Sequence, residues 1–397
     1  MSSPLKQHLI DPEICIRCYT CEQTCPIEAI THDDNNVVVD ADKCNYCMDC
    51  VPVCPTGSID NWRVVATPFT LDEQFEWEEL PDQEDIVSEQ SDTSIEAFDE
   101  SIAALLAQAH AGAGGAARAP ASATKPTVNL YTISKPVTGV LTGNFKLASE
   151  NADSDVRHLI VDLGAEPFPV LEGQSVGVVA PGVDANGKAH LPRLYSVSSP
   201  RDGERANYNN LSLTVKREEL GVCSNYLCDL DKGAEIQLTG PFGSTFLMPS
   251  DSRARVLMIC TGTGSAPFRA FTMHRERTAE KSDSPMVLVF GARTPESLPY
   301  FGPLDKVPEE LLEKHLVYSR VEGEPKRYVQ DALRENHKQI AALISDPNTC
   351  IYICGLRAME EGVDKALAEI ASGIDLDWKT QRDLCLLYTS PSPRDRG

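Results

Sequence analysis

Residues 256–268 read VLMICTGTGSAPF, and this stretch decides the fold of the larger part of the chain. The apolar run 256–260 has the length and composition of a strand that is buried on both faces, which is typical of parallel sheets. The glycines at 262 and 264 predict a tight turn, and Pro267 is favoured at the start of a helix. A strand, a glycine turn and a helix in this order form a cradle for phosphate groups.

The chain after this stretch alternates strand and helix patterns. Apolar runs at 286–290, 315–319 and 350–353 predict further strands, so we expect a doubly wound parallel sheet over residues 251–384. Ligands of such sheets bind beyond the carboxyl ends of the strands. A candidate ligand site is therefore formed by the residues that follow these strands, which are Ser319, Arg320, Lys326, Arg327, Tyr328, Cys354 and Gly355.

The chain before it, residues 128–250, is rich in short strand patterns and favours an antiparallel barrel. Its turn signals are Pro181-Gly182, Asn186-Gly187 and Lys232-Gly233. The sequence RLYS at 193–196 offers a cation, an aromatic face and a hydroxyl, which could hold a flat anionic cofactor. The sequence GVCSN at 221–225 suits a pyrophosphate at a helix start. Taken alone, each motif is equally typical of an ordinary strand or an ordinary helix cap.

The first 54 residues contain eight of the fourteen cysteines. They form the pattern C-x2-C-x2-C-x3-C-P twice, 29 residues apart, as Cys15, Cys18, Cys21 and Cys25 and then as Cys44, Cys47, Cys50 and Cys54. Structural zinc and disulfides fit this spacing poorly, because zinc ligands come as two pairs and disulfides do not persist in a reducing cytosol. The pattern favours iron-sulfur clusters.

The head, residues 1–66, resembles a bacterial two-[4Fe-4S] ferredoxin. The resemblance implies that Cys15, Cys18, Cys21 and Cys54 hold one cluster and that Cys44, Cys47, Cys50 and Cys25 hold the other. Tyr19 and Tyr46 lie between the ligands, and we expect them to shield the clusters from water.

Charge and hydropathy exclude several classes of protein. The net charge of −23 repels phosphate backbones and anionic membrane surfaces, so we expect neither a nucleic-acid nor a membrane partner. No apolar run approaches the roughly 18 residues of a membrane span, and the amino terminus has no secretory signal pattern, so we expect a cytoplasmic protein. Residues 67–127 are acidic and then rich in Ala, Gly and Pro, which predicts a linker.

The body, residues 128–384, resembles the ferredoxin:NADP reductase family, with the motifs in matching order. They are LEGQS at 171–175, RLYS at 193–196, GVCSN at 221–225, GTGSAPF at 262–268, SR at 319–320, KRYVQ at 326–330 and CGL at 354–356. The resemblance implies a barrel that binds FAD and a parallel-sheet domain that binds NADPH. The expected fold class is α+β and α/β multidomain: a two-cluster ferredoxin head, an antiparallel FAD barrel (128–250) and a doubly wound NADP domain (251–384).

The resemblance also implies roles for the motif residues at the flavin. The FAD phosphates would be held by Arg193, Gly221, Val222, Cys223 and Ser224. Tyr195 would stack on the isoalloxazine ring, and Ser196 would hydrogen-bond near flavin N5.

At the nucleotide, the implied pyrophosphate ligands are Thr263, Gly264 and Pro267. The implied partners of a 2′-phosphate are Ser319, Arg320 and Lys326, and those of the adenine are Tyr328 and Gln330, a set that favours NADPH over NADH. Cys354, Gly355 and Leu356 would line the nicotinamide site. Ser196 and Cys354 are thus the predicted catalytic residues.

Two features depart from the family pattern. Only residues 218–220 separate Lys216-Arg217 from the loop at Gly221, where many members have a longer excursion that helps to hold the FAD adenine. Residues 385–397 replace the family's last helix turns and its terminal aromatic, and we expect a non-native tail there.

Head, linker and body together predict a converter from two-electron to one-electron transfer. The sequences at 8–18 and 66–68 resemble reductase components that supply a separate di-iron oxygenase, which implies an acceptor that epoxidises benzoyl-CoA in aerobic benzoate degradation. The sequence has no Glu-x-x-His motif, so oxygenation would occur on that partner. Two alternatives remain: a general NADPH:ferredoxin reductase or diaphorase subunit, and a non-catalytic electron-carrier module.

Overall fold

The computed structural model describes residues 5–391, except 14, 46–48, 51, 52, 55, 57, 60, 66, 82–118, 148, 150, 151, 153, 184–186, 188, 207 and 279–284. In the head the strands are β1 (Leu5–Leu9), β2 (Ile30–His32), β3 (Val37–Val39) and β4 (Asn61–Val65), and the helices are α1 (Thr20–Thr24) and α2 (Leu71–Phe75). β1 pairs with β4 and β2 pairs with β3, both antiparallel. The apolar side chains that fill the head are Ile10, Ile30, Val37, Val39 and Ile59.

The described head extends to residue 81, beyond the boundary that composition predicts at 66. α2 begins with a capping box between Thr70 and Glu73. The Gln74 side chain exchanges hydrogen bonds with both backbone groups of Val39, at 3.1 and 3.0 Å. Asn36 Nδ2 donates to the carbonyl oxygens at the end of α2, including that of Trp77 at 2.7 Å. These buried bonds make residues 67–81 part of the head, while residues 82–118 of the expected linker lie outside the described residues.

The described part of the barrel contains one helix and six antiparallel strands. They are β5 (Val137–Lys146), β6 (Val156–Asp162), β7 (Ser175–Val179), β8 (Arg193–Ser196), β9 (Asn210–Lys216), α3 (Val222–Asp229) and β10 (Glu235–Phe242). The strand order is β8-β7-β10-β5-β6-β9. An antiparallel bridge between Val197 and Leu213 joins the two edge strands, so the sheet closes on itself.

The second sheet is parallel, as the apolar runs predict. Its strands are β11 (Arg255–Thr261), β12 (Met286–Ala292), β13 (Leu312–Tyr318), β14 (Thr349–Gly355) and β15 (Leu386–Pro391), in the order β13-β12-β11-β14-β15. Its helices are α4 (Ala266–Thr278), α5 (Phe301–Asp305), α6 (Val329–Glu335), α7 (His337–Ile344), α8 (Arg357–Ser372) and α9 (Trp378–Cys385).

Helices and barrel residues cover both faces of this sheet. Leu257 and Ile259 face a core that α6, α7 and α8 complete. The alternate residues of β11, Val256, Met258 and Cys260, face a second core that includes Phe268 and Phe271 of α4. Both faces of the sheet are therefore covered, and residues 256–260 in the middle of β11 are all apolar, as the doubly wound arrangement requires.

The expected non-native tail contributes a strand. β15 runs parallel to β14, with Ser390 opposite Cys354 and Pro391 opposite Gly355. Residues 392–397 lie outside the described residues. Within the described residues, no helix combines the length and apolar composition of a membrane span.

Candidate flavin, nicotinamide and cluster sites

The carboxyl ends of β11 and β14 form the nucleotide end of the parallel sheet. The strand order reverses between these two strands, since β12 and β13 lie on one side of β11 and β14 on the other. Ligands of open sheets bind at such a switch point. The chain passes there from β11 through the 3-10 turn Gly262–Ser265 into α4.

The glycines of this turn are required by space and by backbone conformation. A Cβ at residue 264 would lie 2.2 Å from the carbonyl oxygen of Cys354, so only glycine lets the turn approach β14 this closely. Gly262 has a φ of +56°, and a Cβ there would meet no atom within 4 Å. The turn is therefore open on its outer side, and its backbone suits a pyrophosphate.

Cys354 lies beneath this turn and is 3% exposed. Burial raises the pKa of its thiol to about 12, so the group is neutral at physiological pH. A buried neutral thiol is a small apolar lining group and not a charged nucleophile. Gly355 packs closely on Met359 and Thr261, while Leu356 is exposed at the mouth of the site.

The predicted 2′-phosphate and adenine residues lie around the ends of β12 and β13. Ser319 and Arg320 donate their backbone N–H groups to Ala292 and Arg293 at 3.1 and 2.8 Å, which fixes their backbone beside β12. In the described part of the chain, the side chain of Arg320 is in no ion pair. Neither is that of Lys326, whereas the neighbouring Arg327 is paired with Glu335.

Tyr328 and Gln330 have different properties that suit an adenine, an exposed ring and a buried amide oxygen. The Tyr328 ring is 48% exposed at the start of α6, so one face is available for stacking. Gln330 Oε1 is buried without a hydrogen-bond partner in the described structure, and its amide lies against Gly362. A buried amide oxygen with no donor is costly, and a ligand amine would satisfy it.

The predicted flavin strand, β8, is at the edge of the barrel sheet and pairs with β7. Tyr195 is half-buried and packs against the barrel core, as does Tyr226 of α3. Leu194 points to the opposite side, where it packs with Phe242. Arg193 shares the face of Tyr195 because strand residues alternate, so the cation and the ring present one surface to a flat cofactor.

The loop at Gly221 begins α3, and no side chain caps this helix. Its first-turn N–H groups therefore suit a phosphate. The Ser224 side chain is 1% exposed, and its hydroxyl accepts from Glu218 N at 3.2 Å within the turn. A phosphate contact from Ser224 would come from its backbone N–H. Cys223 is also buried, and its thiol donates to the carbonyl of Val178 at 3.7 Å.

The seven described head cysteines lie around the apolar core of the head. Cys21 and Cys50 are buried, and the remaining described ones, Cys15, Cys18, Cys25, Cys44 and Cys54, are half-buried or exposed. No disulfide joins any of these seven described cysteines, and Cys47 lies outside the described residues. Among the described residues, no group of three His, Cys, Asp or Glu side chains is arranged to hold a single metal ion.

The backbone around these cysteines is also unusual. Arg17 and Tyr19 have φ values of 54° and 56°, a left-handed conformation that non-glycine residues adopt only under constraint. Turns of this kind can form concave groups of backbone N–H donors, which suit an anion such as a thiolate-bound cluster. The Tyr19 ring lies 4.1 Å from the ring of His32 and packs against the head core, which agrees with a shielding position.

The sequence analysis missed a set of buried charges between the barrel and α4. Glu172, fully buried, accepts from Arg201 Nη2 at 2.9 Å and lies 3.2 Å from His274 Nδ1. Glu204 accepts two hydrogen bonds from Arg269, each at 2.7 Å. The LEGQS motif contained Glu172. The partners of Glu172, Arg201 and His274, are distant in sequence and belong to no motif that includes it.

Comparison with known proteins finds one family that matches the head and another that matches the parallel-sheet region of the body. The 4Fe-4S dicluster domain family matches residues 7–55, and the Oxidoreductase NAD-binding domain family matches residues 258–365. A solved ferredoxin-NADP+ reductase from Plasmodium falciparum covers 67% of this chain and 99% of its own at a TM-score of 0.54 and 23% identity, a likeness of fold.

Sequence relatives carry the family assignment. The ferredoxin–NADP reductase of Cyanophora paradoxa cyanelles is 36% identical over 269 residues, which are 63% of this chain and 74% of that protein. The ferredoxin–NADP reductase of Spirulina sp is 39% identical over 270 residues, which are 63% of this chain and 92% of that protein. The chain belongs to the ferredoxin–NADP reductase family and carries in addition an amino-terminal region that matches a 4Fe-4S dicluster domain.

Proposed function

We propose that this chain is an NADPH-dependent flavin and iron-sulfur reductase that passes electrons through its head to a separate protein. One observation carries the proposal: a single chain joins a dicluster-type cysteine head to a reductase body whose pyrophosphate turn is open. When bound, FAD takes two electrons and a proton from NADPH and releases electrons singly, and each of two [4Fe-4S] clusters carries one electron.

The chain's own residues account for a preference for NADPH. Arg320 adjoins Ser319 in sequence and Lys326 follows in the same loop, so two cations and a hydroxyl would be available to a phosphate. A 2′-phosphate gains strong charge-assisted hydrogen bonds from these residues, whereas a ribose that lacks the 2′-phosphate gains none. Tyr328 would stack on the adenine, and Gln330 would accept from its amine.

Ser196 and Cys354 would serve the reacting rings through where they lie, Ser196 by holding a proton and Cys354 by excluding water. Cys354 excludes water from the nicotinamide side because it is buried and neutral. Ser196 is the last residue of β8, and its hydroxyl would hold a proton at the flavin edge. Neither residue needs to change its own oxidation state.

The electron acceptor that we propose is a di-iron oxygenase that epoxidises benzoyl-CoA, which would make this chain the reductase component of benzoyl-CoA 2,3-epoxidase. The support is the resemblance of residues 8–18 and 66–68 and the absence of a Glu-x-x-His motif from this sequence. A general ferredoxin-type acceptor is the second candidate, favoured by the relatives that are named ferredoxin–NADP reductases.

Anaerobic visible spectroscopy tests the proposal. The protein reconstituted with FAD, iron and sulfide is mixed with one equivalent of NADPH, or of NADH as the control. We expect NADPH to bleach both the flavin bands and the broad iron-sulfur absorption, with NADH much slower. If dithionite bleaches the clusters but NADPH leaves the flavin oxidised, the chain is only an electron carrier. Benzoyl-CoA-dependent O2 uptake with a candidate oxygenase then decides between the two acceptors.

A further inference from the structure

The contact between α4 and the barrel contains a buried ion pair that none of the predicted site residues uses. Arg269 donates from Nη1 to Glu204 Oε2 and from Nη2 to Glu204 Oε1, each at 2.7 Å. The two side chains are only 16% and 15% exposed. A bidentate pair of this kind fixes direction as well as distance, because the guanidinium and carboxylate planes must align.

The same guanidinium also bonds to the segment that follows the flavin strand. Arg269 Nη1 donates to the carbonyl oxygen of Ser198 at 2.8 Å. Ser198 follows Ser196 by two residues, and Arg269 follows Pro267 by two residues. One side chain therefore links the backbone that carries the predicted flavin hydroxyl to the helix that begins at the pyrophosphate turn.

Glu204 is itself held in place by the barrel. Its backbone N–H donates to Asn210 Oδ1 at 2.7 Å, and Ser212 Oγ donates to its carboxylate at 2.9 Å. The Ser212 hydroxyl also lies 2.9 Å from that of Ser198. Although burial opposes it, the neighbouring His158 and Arg269 keep the pKa of Glu204 well below its usual value. The carboxylate is therefore charged throughout the physiological range.

An aromatic ring completes the contact. The Arg269 guanidinium carbon lies 4.9 Å from the centre of the Tyr300 ring. The Tyr300 hydroxyl is 2.6 Å from Thr214 Oγ1 in β9 and 2.9 Å from His158 Nδ1 in β6. The guanidinium is thus confined on one side by a ring that is bonded to the barrel, which leaves it little freedom.

We infer that Arg269 and Glu204 are a positioning pair that sets the nicotinamide-binding turn against the flavin-binding strand. The inference rests on the proposed function and adds residues that touch neither cofactor. Loss of the pair would leave nucleotide affinity nearly intact and slow electron transfer, because the 2′-phosphate residues lie on other strands. A small displacement of reacting groups can cost on the order of 100-fold in rate.

The chain offers a matched control on the same helix. Arg277, two turns after Arg269, donates to Asp202 at 2.6 Å and to the carbonyl oxygens of Gly203 and Glu204 at 2.8 and 2.9 Å. It joins α4 to the same barrel loop but does not contact Ser198. A role in general interface stability predicts equal effects at 269 and 277, whereas positioning predicts an effect at 269 alone.

The test uses the full chain with its cofactors and the variants Arg269→Lys, Glu204→Gln and Arg277→Gln. Three quantities are measured: the rate of flavin bleaching at saturating NADPH, the Kd of 2′-phospho-AMP, and the change that NADP+ causes in the oxidised flavin spectrum. For the two variants of the pair we expect bleaching to slow by about 10-fold to 100-fold, the NADP+ spectrum to change, and the Kd to stay within threefold. Arg277→Gln should keep all three within threefold.

Bleaching within threefold of wild type in both variants of the pair would overturn the inference, as would an equal loss in Arg277→Gln. Flavin content is checked for each protein. Arg269→Lys keeps the charge and shortens the reach to Ser198, so it decides the matter even if Glu204→Gln does not fold. Wild-type protein that NADPH does not bleach would refute the proposed function, whereas the NADP+ spectrum still tests the positioning pair.

Discussion

Replacement of Glu172 by Gln should destabilise the body strongly. The carboxylate is fully buried, and Arg201 donates to it from its backbone N–H at 2.7 Å and from Nε and Nη2 at 3.0 and 2.9 Å. His274 of α4 lies 3.2 Å away. Glu172→Gln leaves the Arg201 guanidinium, which is 8% exposed, without its counter-charge. Breaking one partner of such a buried pair costs about 3 to 5 kcal/mol.

The pH dependence gives a second measure of the same contact. Burial opposes ionisation of Glu172, but Arg201 and His274 outweigh it and hold the pKa of Glu172 well below its usual value. A depressed pKa means that the contribution to stability is complete above the unfolded-state pKa of about 4.3 and declines as pH falls below it. The loss of stability in Glu172→Gln relative to wild type should therefore shrink as the pH falls below about 4.3.

Urea unfolding of the FAD-bound chain measures the effect, with flavin fluorescence as the signal because flavin release reports on the body. For a urea m-value of about 3 kcal/mol per M, the loss lowers the midpoint by about 1 to 1.7 M. Asp251→Asn is the control: its pair with Arg253 is exposed, so its loss should leave the midpoint close to that of wild type. A midpoint for Glu172→Gln as near to wild type as that of the control would refute the reasoning.

Three further predictions concern the sites. Gly264→Ala would place a Cβ 2.2 Å from the oxygen of Cys354, so NADPH oxidation should fall on the order of 100-fold while bound FAD is retained, as absorbance and steady-state assays would show. Arg320→Ala should raise the KM for NADPH about tenfold and leave that for NADH nearly unchanged; equal shifts for both would contradict a 2′-phosphate role. Cys21→Ser should lower the iron content of the reconstituted protein by about half, and Cys350→Ser, in β14, should not change it.

The body's parallel sheet could be predicted because its signal is local. A short apolar run such as 256–260, followed by a glycine turn, predicts a strand that is covered on both faces, and the structure pairs this strand on both sides. The glycine turn could be predicted from the sequence equally well. Its spatial reason, the approach of Gly264 to Cys354, joins residues that are 90 positions apart and needed the structure.

The end of the head was harder to predict because composition averages over long windows. Residues 67–127 as a whole are acidic and poor in large apolar residues, which is typical of linkers. Within them, the capping box of Thr70 and Glu73 marks a helix start, and Gln74 bonds to Val39. A capping box before a helix of only five residues is weak evidence against a linker-like composition. In the structure, the hydrogen bonds between Gln74 and Val39 attach this helix to the head.

Three cations along α4, Arg269, His274 and Arg277, each face a carboxylate of the barrel. Arg269 and its carboxylate are mostly buried, so their desolvation offsets much of their attraction and the pair adds little net stability. What the Arg269–Glu204 pair supplies is a defined register between the helix and the barrel. The turn that precedes α4 can therefore remain glycine-rich and open to a phosphate, because the helix behind it, and not the turn, fixes where the nucleotide meets the flavin strand.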